Sequence, residues 1–485
     1  MIDYLRDILQ YDPQSPMLFN SGLFWVLFCL FLPFYSLLRH RKMMMMVYVV
    51  AFSLFFYYKS SGLFFLLLVA RAVIDFYLSR WMALCSGRLA RRSILSFSLL
   101  TSLGTLAYFK YSNFFLLNLN TLLSTNFQLV DVILPVGISF YTFQSISYMV
   151  DVYRGRADCA ETLLDYLFFL SFFPALVAGP IVRASSFMPQ IRANYKITDT
   201  VVFGGLWLIM VGLLKKAVAA DYISQYTNIV FSNPQGFSGL EYAMGLIGYS
   251  VQIYCDFSGY SDMAIGLARI LGFDLGVNFN LPYKAHNITE FWRRWHISLS
   301  SWLKDYVYIP LGGNRQGKFR TSLNLFLTML VAGLWHGAGW NFIVWGGFHG
   351  MGLIVHRNLR QYLSRIPDNS IVKILSIGIT FVFTSLLWAF FRSSDLETAV
   401  AIIGKIFSEF TPSMFVPFAQ TRSLWLIIVT LALLLFFIPE RWYERLRKAY
   451  LNSHLVVKMC LFIVLVQLIL ELSGANVTPF IYFQF

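Results

Sequence analysis

Apolar runs follow one another along this chain from end to end, separated only by short polar turns. Their lengths predict spanning or deeply inserted helices near 21–38, 44–58, 61–80, 94–109, 131–152, 163–180, 200–219 and 239–256, and again near 323–336, 340–356, 370–391, 423–439 and 455–473. Several runs are shorter than a full crossing or are interrupted by glycine and proline. Such interruptions are tolerated at membrane depth only where neighbouring protein takes up the freed backbone groups. The centre of the chain should therefore hold buried, broken helices. Met1 to Pro16 is polar and acidic, which argues against a cleavable signal and makes the first run, from near Ser21, a retained membrane helix.

Within this pattern the polar positions are informative because they are few. His336 closes an uncharged run that begins at Leu323, and at about 1.5 Å per residue that run covers only about 21 Å of a hydrocarbon core of about 30 Å. An ionisable side chain at that depth calls for a reason. Gly337 and Gly339 follow and can end the helix, which places the histidine at an intramembrane break. Arg71 and Asp75 stand one helical turn apart in another run and are expected to pair structurally. Asn287 to Tyr306 is expected to form one helix of about five turns, capped by Asn287 with Glu290 reaching back. Trp292, Trp295, His296, Leu299, Leu303 and Tyr306 share one face of it, and its five charges argue for an interfacial or funnel-lining element rather than a crossing.

Composition settles the class: 58% of residues are hydrophobic, 18% aromatic and 13% charged, the profile of a polytopic membrane protein. The net charge of +14 sits in short loops such as Arg39–Lys42, Arg88–Arg92, Arg154–Arg156 and Arg315–Arg320, as the positive-inside bias demands of cytoplasmic loops. No soluble basic domain carries it, so no nucleic-acid partner is expected. Five scattered cysteines suggest buried free thiols, and neither a disulfide framework nor a metal site.

The chemistry is narrowed by what is missing: no nucleophile elbow, no H-x-x-x-x-D box, no zincin motif and no P-loop. Histidines remain. A buried neutral imidazole can take a proton from a hydroxyl that attacks an activated acyl group, and it can equally serve a proton relay in a transporter. His349 and His356 lie seven apart and share a helix face, with His356 interfacial at the helix end. His286, His40 and His454 flank apolar segments and are expected to be solvated or interfacial.

Two stretches carry a resemblance: FWRRWHISLSSWLKDYVYIPLGGNR (Phe291–Arg315) and LWHGAGWNFIVWGGFHG (Leu334–Gly350). Together with YFKYSNFF (Tyr108–Phe115), LPVGISFYTFQSISYMVDVYRG (Leu134–Gly155), FFPALVAGPIVR (Phe172–Arg183), GLLKKAVAAD (Gly212–Asp221), YCDFSGYSDMAIGLARILGF (Tyr254–Phe273) and FIYFQF (Phe480–Phe485), the chain resembles the membrane-bound O-acyltransferase family, and within it the bacterial alginate O-acetyltransferase branch. The first twenty residues depart from the pattern.

The resemblance implies an all-α ring of transmembrane helices around a thinned centre, with broken and re-entrant helices. It implies one membrane-embedded domain over 1–485, with a polar segment at 1–20 and the catalytic core at 287–356. A cytoplasmic acyl thioester, acetyl-CoA or a relative, would meet an acceptor hydroxyl near His336, the catalytic base, with His296 as its companion. No bound cofactor or metal is implied. Trp335 and Asn341 would line the break, Asn341 steadying an oxyanion, while Trp295, Asp256 and Ser258 line the substrate path. Asp256 and Asp262 could instead pair with Arg269. Arg315, Lys318 and Arg320 either approach donor phosphates or simply anchor the loop on the cytoplasmic side. The expected partners are the donor, a polysaccharide acceptor reached directly or through an exported SGNH-type transferase, and membrane lipids, at a bacterial cytoplasmic membrane. D-alanyl transfer to teichoic acid and a proton-coupled transporter remain the alternatives.

Overall fold

The computed structural model describes residues 9–13, 16–193, 197–363, 365–367 and 369–472. Part of the polar N-terminal segment and the FIYFQF stretch lie outside the described residues. All regular structure among the described residues is helical. Among them, four helices are long and apolar enough to cross a membrane, Lys42–Leu84, Asp199–Ser232, Ser370–Arg392 and Leu455–Leu472, and six spans result if each of two bent helix pairs is one span.

The chain divides into two compact units, one of Met1–Gly205 with Met263–Gly276, the other of Leu206–Asp262 with Val277–Phe485. In the first unit, the helix Gly22–Leu38 buries a stripe of Phe24, Phe28, Phe31 and Tyr35 at helical spacing. Phe24, Phe28 and Phe31 pack against Phe173. Cys29 falls off that stripe and is exposed, as is Cys460. Of the five free thiols only Cys255 is buried, which corrects the expectation for the others.

The centre of this unit is polar. Arg71 and Asp75 pair on the helix Phe65–Leu84, as their spacing predicts, with Arg71 Nε donating to Asp75 at 2.9 Å. Arg71 also donates to Thr101 at 2.9 Å and Ser98 at 2.8 Å, and Asp75 accepts from Tyr166 at 2.9 Å and Ser145 at 2.5 Å. Two buried charges are thereby saturated with partners from neighbouring helices, the condition under which burial is tolerable.

In the second unit several expected boundaries move. The run predicted at 340–356 continues as a helix to Leu363, so His356 lies within it rather than at its end. The run at 239–256 is part of the helix Gly239–Ile270. The helices Leu396–Ser408, Phe415–Thr421 and Glu440–Asn452 were not expected. The first two follow Arg392 in a bent pair, and the third is strongly amphipathic, a pattern that a search for long apolar runs passes over.

The expected five-turn helix over Asn287–Tyr306 is instead two short helices, Ile288–Arg294 and Ile297–Leu303. Between them Trp295 is extended and His296 is left-handed, with φ +43°. A nearby segment supplies what the helix gives up: Ile297 N–H donates to the Asn278 carbonyl at 2.8 Å, and the Arg294 carbonyl accepts from Asn280 N–H at 2.9 Å. At the start, Asn287 caps Glu290 N–H as expected, while the Glu290 carboxylate reaches one residue further back, to His286 N–H.

Candidate active site

The helix Gly317–His336 ends on His336, and the helix Trp340–Leu363 begins four residues later, giving a close antiparallel hairpin. The break is where the glycines predict it. Gly337 is needed there for space, since its backbone is extended and a Cβ would stand 2.1 Å from the Phe342 ring. Deeper in the hairpin a Cβ on Gly346 would come within 2.3 Å of the Met329 carbonyl. Gly346→Ala should therefore cost about 1–3 kcal/mol by forcing the helices apart, read as a lowered unfolding temperature in detergent. An unchanged value would mean that the hairpin tolerates opening.

His336 is 2% exposed and stands in an aromatic cage, with ring centroids of Trp335 at 4.9 Å, Trp345 at 5.0 Å and Phe391 at 5.1 Å. Trp335 lies between the two motif histidines, 6.0 Å from His296. His296 is fully buried, 4.6 Å from the Phe257 ring. Its tautomer follows from its neighbours. Asn278 Oδ1 already accepts from Ser298 N–H and Ser298 O–H, and Asn278 Nδ2 donates to Ser261. His296 Nδ1–H therefore donates to Asn278 Oδ1 at 3.2 Å, leaving Nε2 as a buried acceptor with no partner among the described residues. Its left-handed backbone is the kind of local strain that surrounding structure must hold in place.

A third histidine joins them. His349 is fully buried, 4.6 Å from the Trp345 ring, and its Nδ1 accepts from Trp292 Nε1–H at 3.3 Å. Sequence reasoning places His349 only on a face shared with His356, outside the site, and does not single out Asn278. The repeated H-G in WHGAGWNFIVWGGFHG was the available signal for His349, whereas nothing local distinguishes Asn278. Trp345 Nε1 and His349 Nε2 are buried and meet no partner among the described residues, each at a cost of about 1–3 kcal/mol.

Other expected site residues are placed differently. Both Asn341 amide hydrogens are taken, by the Phe390 carbonyl at 3.2 Å and the Ser393 carbonyl at 2.9 Å, so this amide has no hydrogen left for an oxyanion. Asp256 pairs with the buried Lys216 at 2.5 Å rather than with Arg269, and Asp262 with Lys215 at 2.6 Å. Lys216 also holds Asp221 at 2.7 Å. The residue facing His296 from this stretch is Phe257, which sits between Asp256 and the buried Ser258. Trp295 packs among Trp388, Phe279 and Phe291 at 5.0–5.5 Å.

A cavity of about 780 Å³ is lined by Arg293, Arg294, Arg357, Arg360, His356 and Glu290, with Asn280, Asn287 and Thr289 and a wall of Leu325, Leu353 and Leu363. Arg294 is tied to Glu290 at 2.8 Å. Burial pushes the Glu290 carboxyl up, but the His286 amide and the Arg294 guanidinium pull it further down, below the usual carboxylate range. Arg293 and Arg360 are exposed to the cavity side of the molecule's surface, and Arg357 donates to the Lys318 carbonyl and Ser322 at 3.2 Å. Arg315, Lys318 and Arg320 are exposed and do not line this cavity.

Several apolar helices around buried, aromatic-caged histidines mark a multi-pass membrane protein. The membrane-bound O-acyltransferase family model matches residues 161–391. The chain is 38% identical over 406 residues to the probable alginate O-acetylase AlgI of Pseudomonas putida, a match covering 79% of this chain and 82% of that protein. It is 41% identical over 339 residues to the peptidoglycan O-acetyltransferase of Helicobacter pylori, 64% of each chain. It is 28% identical over 260 residues to the teichoic acid D-alanyltransferase of Bacillus subtilis, 51% of this chain and 66% of that one. The chain belongs to the membrane-bound O-acyltransferase family and is an O-acyltransferase.

Proposed function

We propose that this enzyme moves an acetyl group from a cytoplasmic thioester to a hydroxyl of a cell-surface or exported polysaccharide, at the cytoplasmic membrane of a bacterium. The observation that carries the reading is the burial of both motif histidines on either side of Trp335, in a chain similar over most of its length to O-acetylating relatives. The family match at 161–391 runs through residues of both compact units, and we read the whole chain as one catalytic domain.

In this reading His336 takes the proton of the acceptor hydroxyl as its oxygen attacks the acyl carbon. The carbonyl π pair moves to oxygen. It then returns as the carbon–sulfur bond breaks, and the leaving thiolate takes the proton back from the imidazolium. His296, held as the Nδ1–H tautomer by Asn278, offers Nε2 to an N–H or O–H of a substrate. No serine or cysteine acyl-enzyme is invoked. The final acceptor is a polysaccharide, reached directly or through an exported SGNH-type transferase.

Acetyl-CoA as the donor is supported by the arginine-lined cavity, whose charge suits phosphates and whose leucine wall suits an extended arm. Arg315, Lys318 and Arg320 would then attract the donor at the surface rather than hold it. Replacing Arg293 and Arg360 together by glutamine should raise KM for acetyl-CoA about tenfold, roughly 1.4 kcal/mol, with kcat little changed. Unaltered KM in purified protein would remove the cavity from the donor path. D-alanyl transfer from a carrier-protein thioester is the second reading, favoured by the similarity to the Bacillus subtilis enzyme.

A further inference from the structure

Trp345 and His349 lie four residues apart on the helix Trp340–Leu363 and so share a face. Both are fully buried. An indole nitrogen can only donate, so the bond from Trp292 Nε1–H fixes the lone pair of His349 on Nδ1 and its proton on Nε2. That Nε2–H and the Trp345 Nε1–H are two buried donors meeting no acceptor among the described residues. Trp345 touches both His336 and His349, with ring centroids 5.0 and 4.6 Å away. Aromatic packing alone would be served as well by phenylalanine at position 345, and an acceptor for Trp292 alone would not need a second, unsatisfied N–H at 349. The Asn341 amide is already spent on two backbone carbonyls.

We propose that Trp345 Nε1–H and His349 Nε2–H donate hydrogen bonds to the acyl carbonyl oxygen of the thioester and strengthen as that oxygen gains the π pair during attack. This assignment rests on the acyl-transfer reading above. The bonds formed and broken are those already given: the acceptor oxygen joins the acyl carbon, its proton passes to His336, and the thiolate leaves with that proton. Trp292 is a positioning residue, holding His349 in the donating tautomer. Preorganised donors aimed at developing charge act most strongly in a water-excluded site, and losing one typically costs about 10²–10³-fold in kcat.

The test uses Trp345→Phe, His349→Leu and His349→Gln in the full-length protein. Three quantities are read: acyl ester per unit of polysaccharide in cells carrying each variant as the sole copy, kcat and KM in lipid nanodiscs with acetyl-CoA as probe, and unfolding temperature. Trp345→Phe and His349→Leu should each lower kcat about 100-fold with KM within about threefold of wild type. The unfolding temperature of Trp345→Phe should stay level or rise, because an unsatisfied buried donor has been removed, and that of His349→Leu should stay near wild type, because it removes one such donor and strands the Trp292 Nε1–H. His349→Gln, which keeps an N–H, should recover part of the rate. Turnover within about threefold of wild type, or a loss that tracks a fall in unfolding temperature, would overturn the assignment. If wild type does not use acetyl-CoA while cellular esters still require His336, the donor identity fails and the ester ratios in cells decide for or against the two donors. Wild-type ester levels in cells lacking the protein would overturn the acyl-transfer reading and this assignment with it.

Discussion

His336→Ala should lower the rate of acyl transfer by about 10³-fold, within the range usual for loss of a general base, while the protein still reaches the membrane and unfolds near the wild-type temperature. The reasoning starts from burial. His336 has 2% of its surface exposed, ends the helix Gly317–His336 and is surrounded by Trp335, Trp345 and Phe391. Three aromatic walls keep bulk water from the ring, so a hydroxyl brought to it has few competing bases. The helix end does not depend on the imidazole, because Gly337 N–H bonds to the Gly333 carbonyl at the break. Structure and catalysis are thus separable at this residue. Purified variant in nanodiscs, scored for turnover and for unfolding, checks both halves. Retained turnover would move the base elsewhere, with His296 Nε2 the next candidate.

Asp75→Ala should be the most destabilising single change in the first unit, by about 3–5 kcal/mol. Removing the carboxylate leaves the Arg71 guanidinium, 7% exposed, without its counter-charge, and strips an acceptor from Ser145 and Tyr166 as well. The effect comes from the stranded charge rather than from the net worth of the pair. The double change Arg71→Met with Asp75→Leu should accordingly recover much of the loss, since a buried ion pair and an apolar pair of similar volume are often close in stability. Thermal unfolding of the wild type and the two variants in one detergent measures this. Equal losses for Asp75→Ala and the double variant would show that the hydroxyl network, not the charge, holds the helices.

What the sequence made legible was local. The Arg71–Asp75 pair follows from a four-residue spacing, and the break after His336 from Gly337 and Gly339, whereas the approach of Trp335 to His296 is seen only in the fold. The features it hid depend on distant segments. A helix of five turns over Asn287–Tyr306 satisfies every local preference, yet Asn278 and Asn280 bond to its middle and split it at His296. The Asp256–Arg269 pairing is favoured by proximity along the chain, yet Lys216 is the residue that reaches Asp256. Asn341 has the right chemistry for an oxyanion, and only the fold shows its hydrogens committed to Phe390 and Ser393. His349 was read as a face-sharing neighbour of His356, whereas its burial against Trp345 joins it to His336. The arginines of the cavity sit at separate places in the sequence, Arg293 and Arg294 in one motif and Arg357 and Arg360 two turns past the other, and only packing brings them to one wall.

The most direct test is the identity and amount of ester-linked acyl groups on polysaccharide isolated from cells with and without this protein, released by mild base and identified by mass. Acetate should fall to background without the protein and return with the wild type but not with His336→Ala. Unchanged acetate in the strain lacking the protein would contradict acetylation by this enzyme, and a selective loss of D-alanine in that strain would assign the other acyl group.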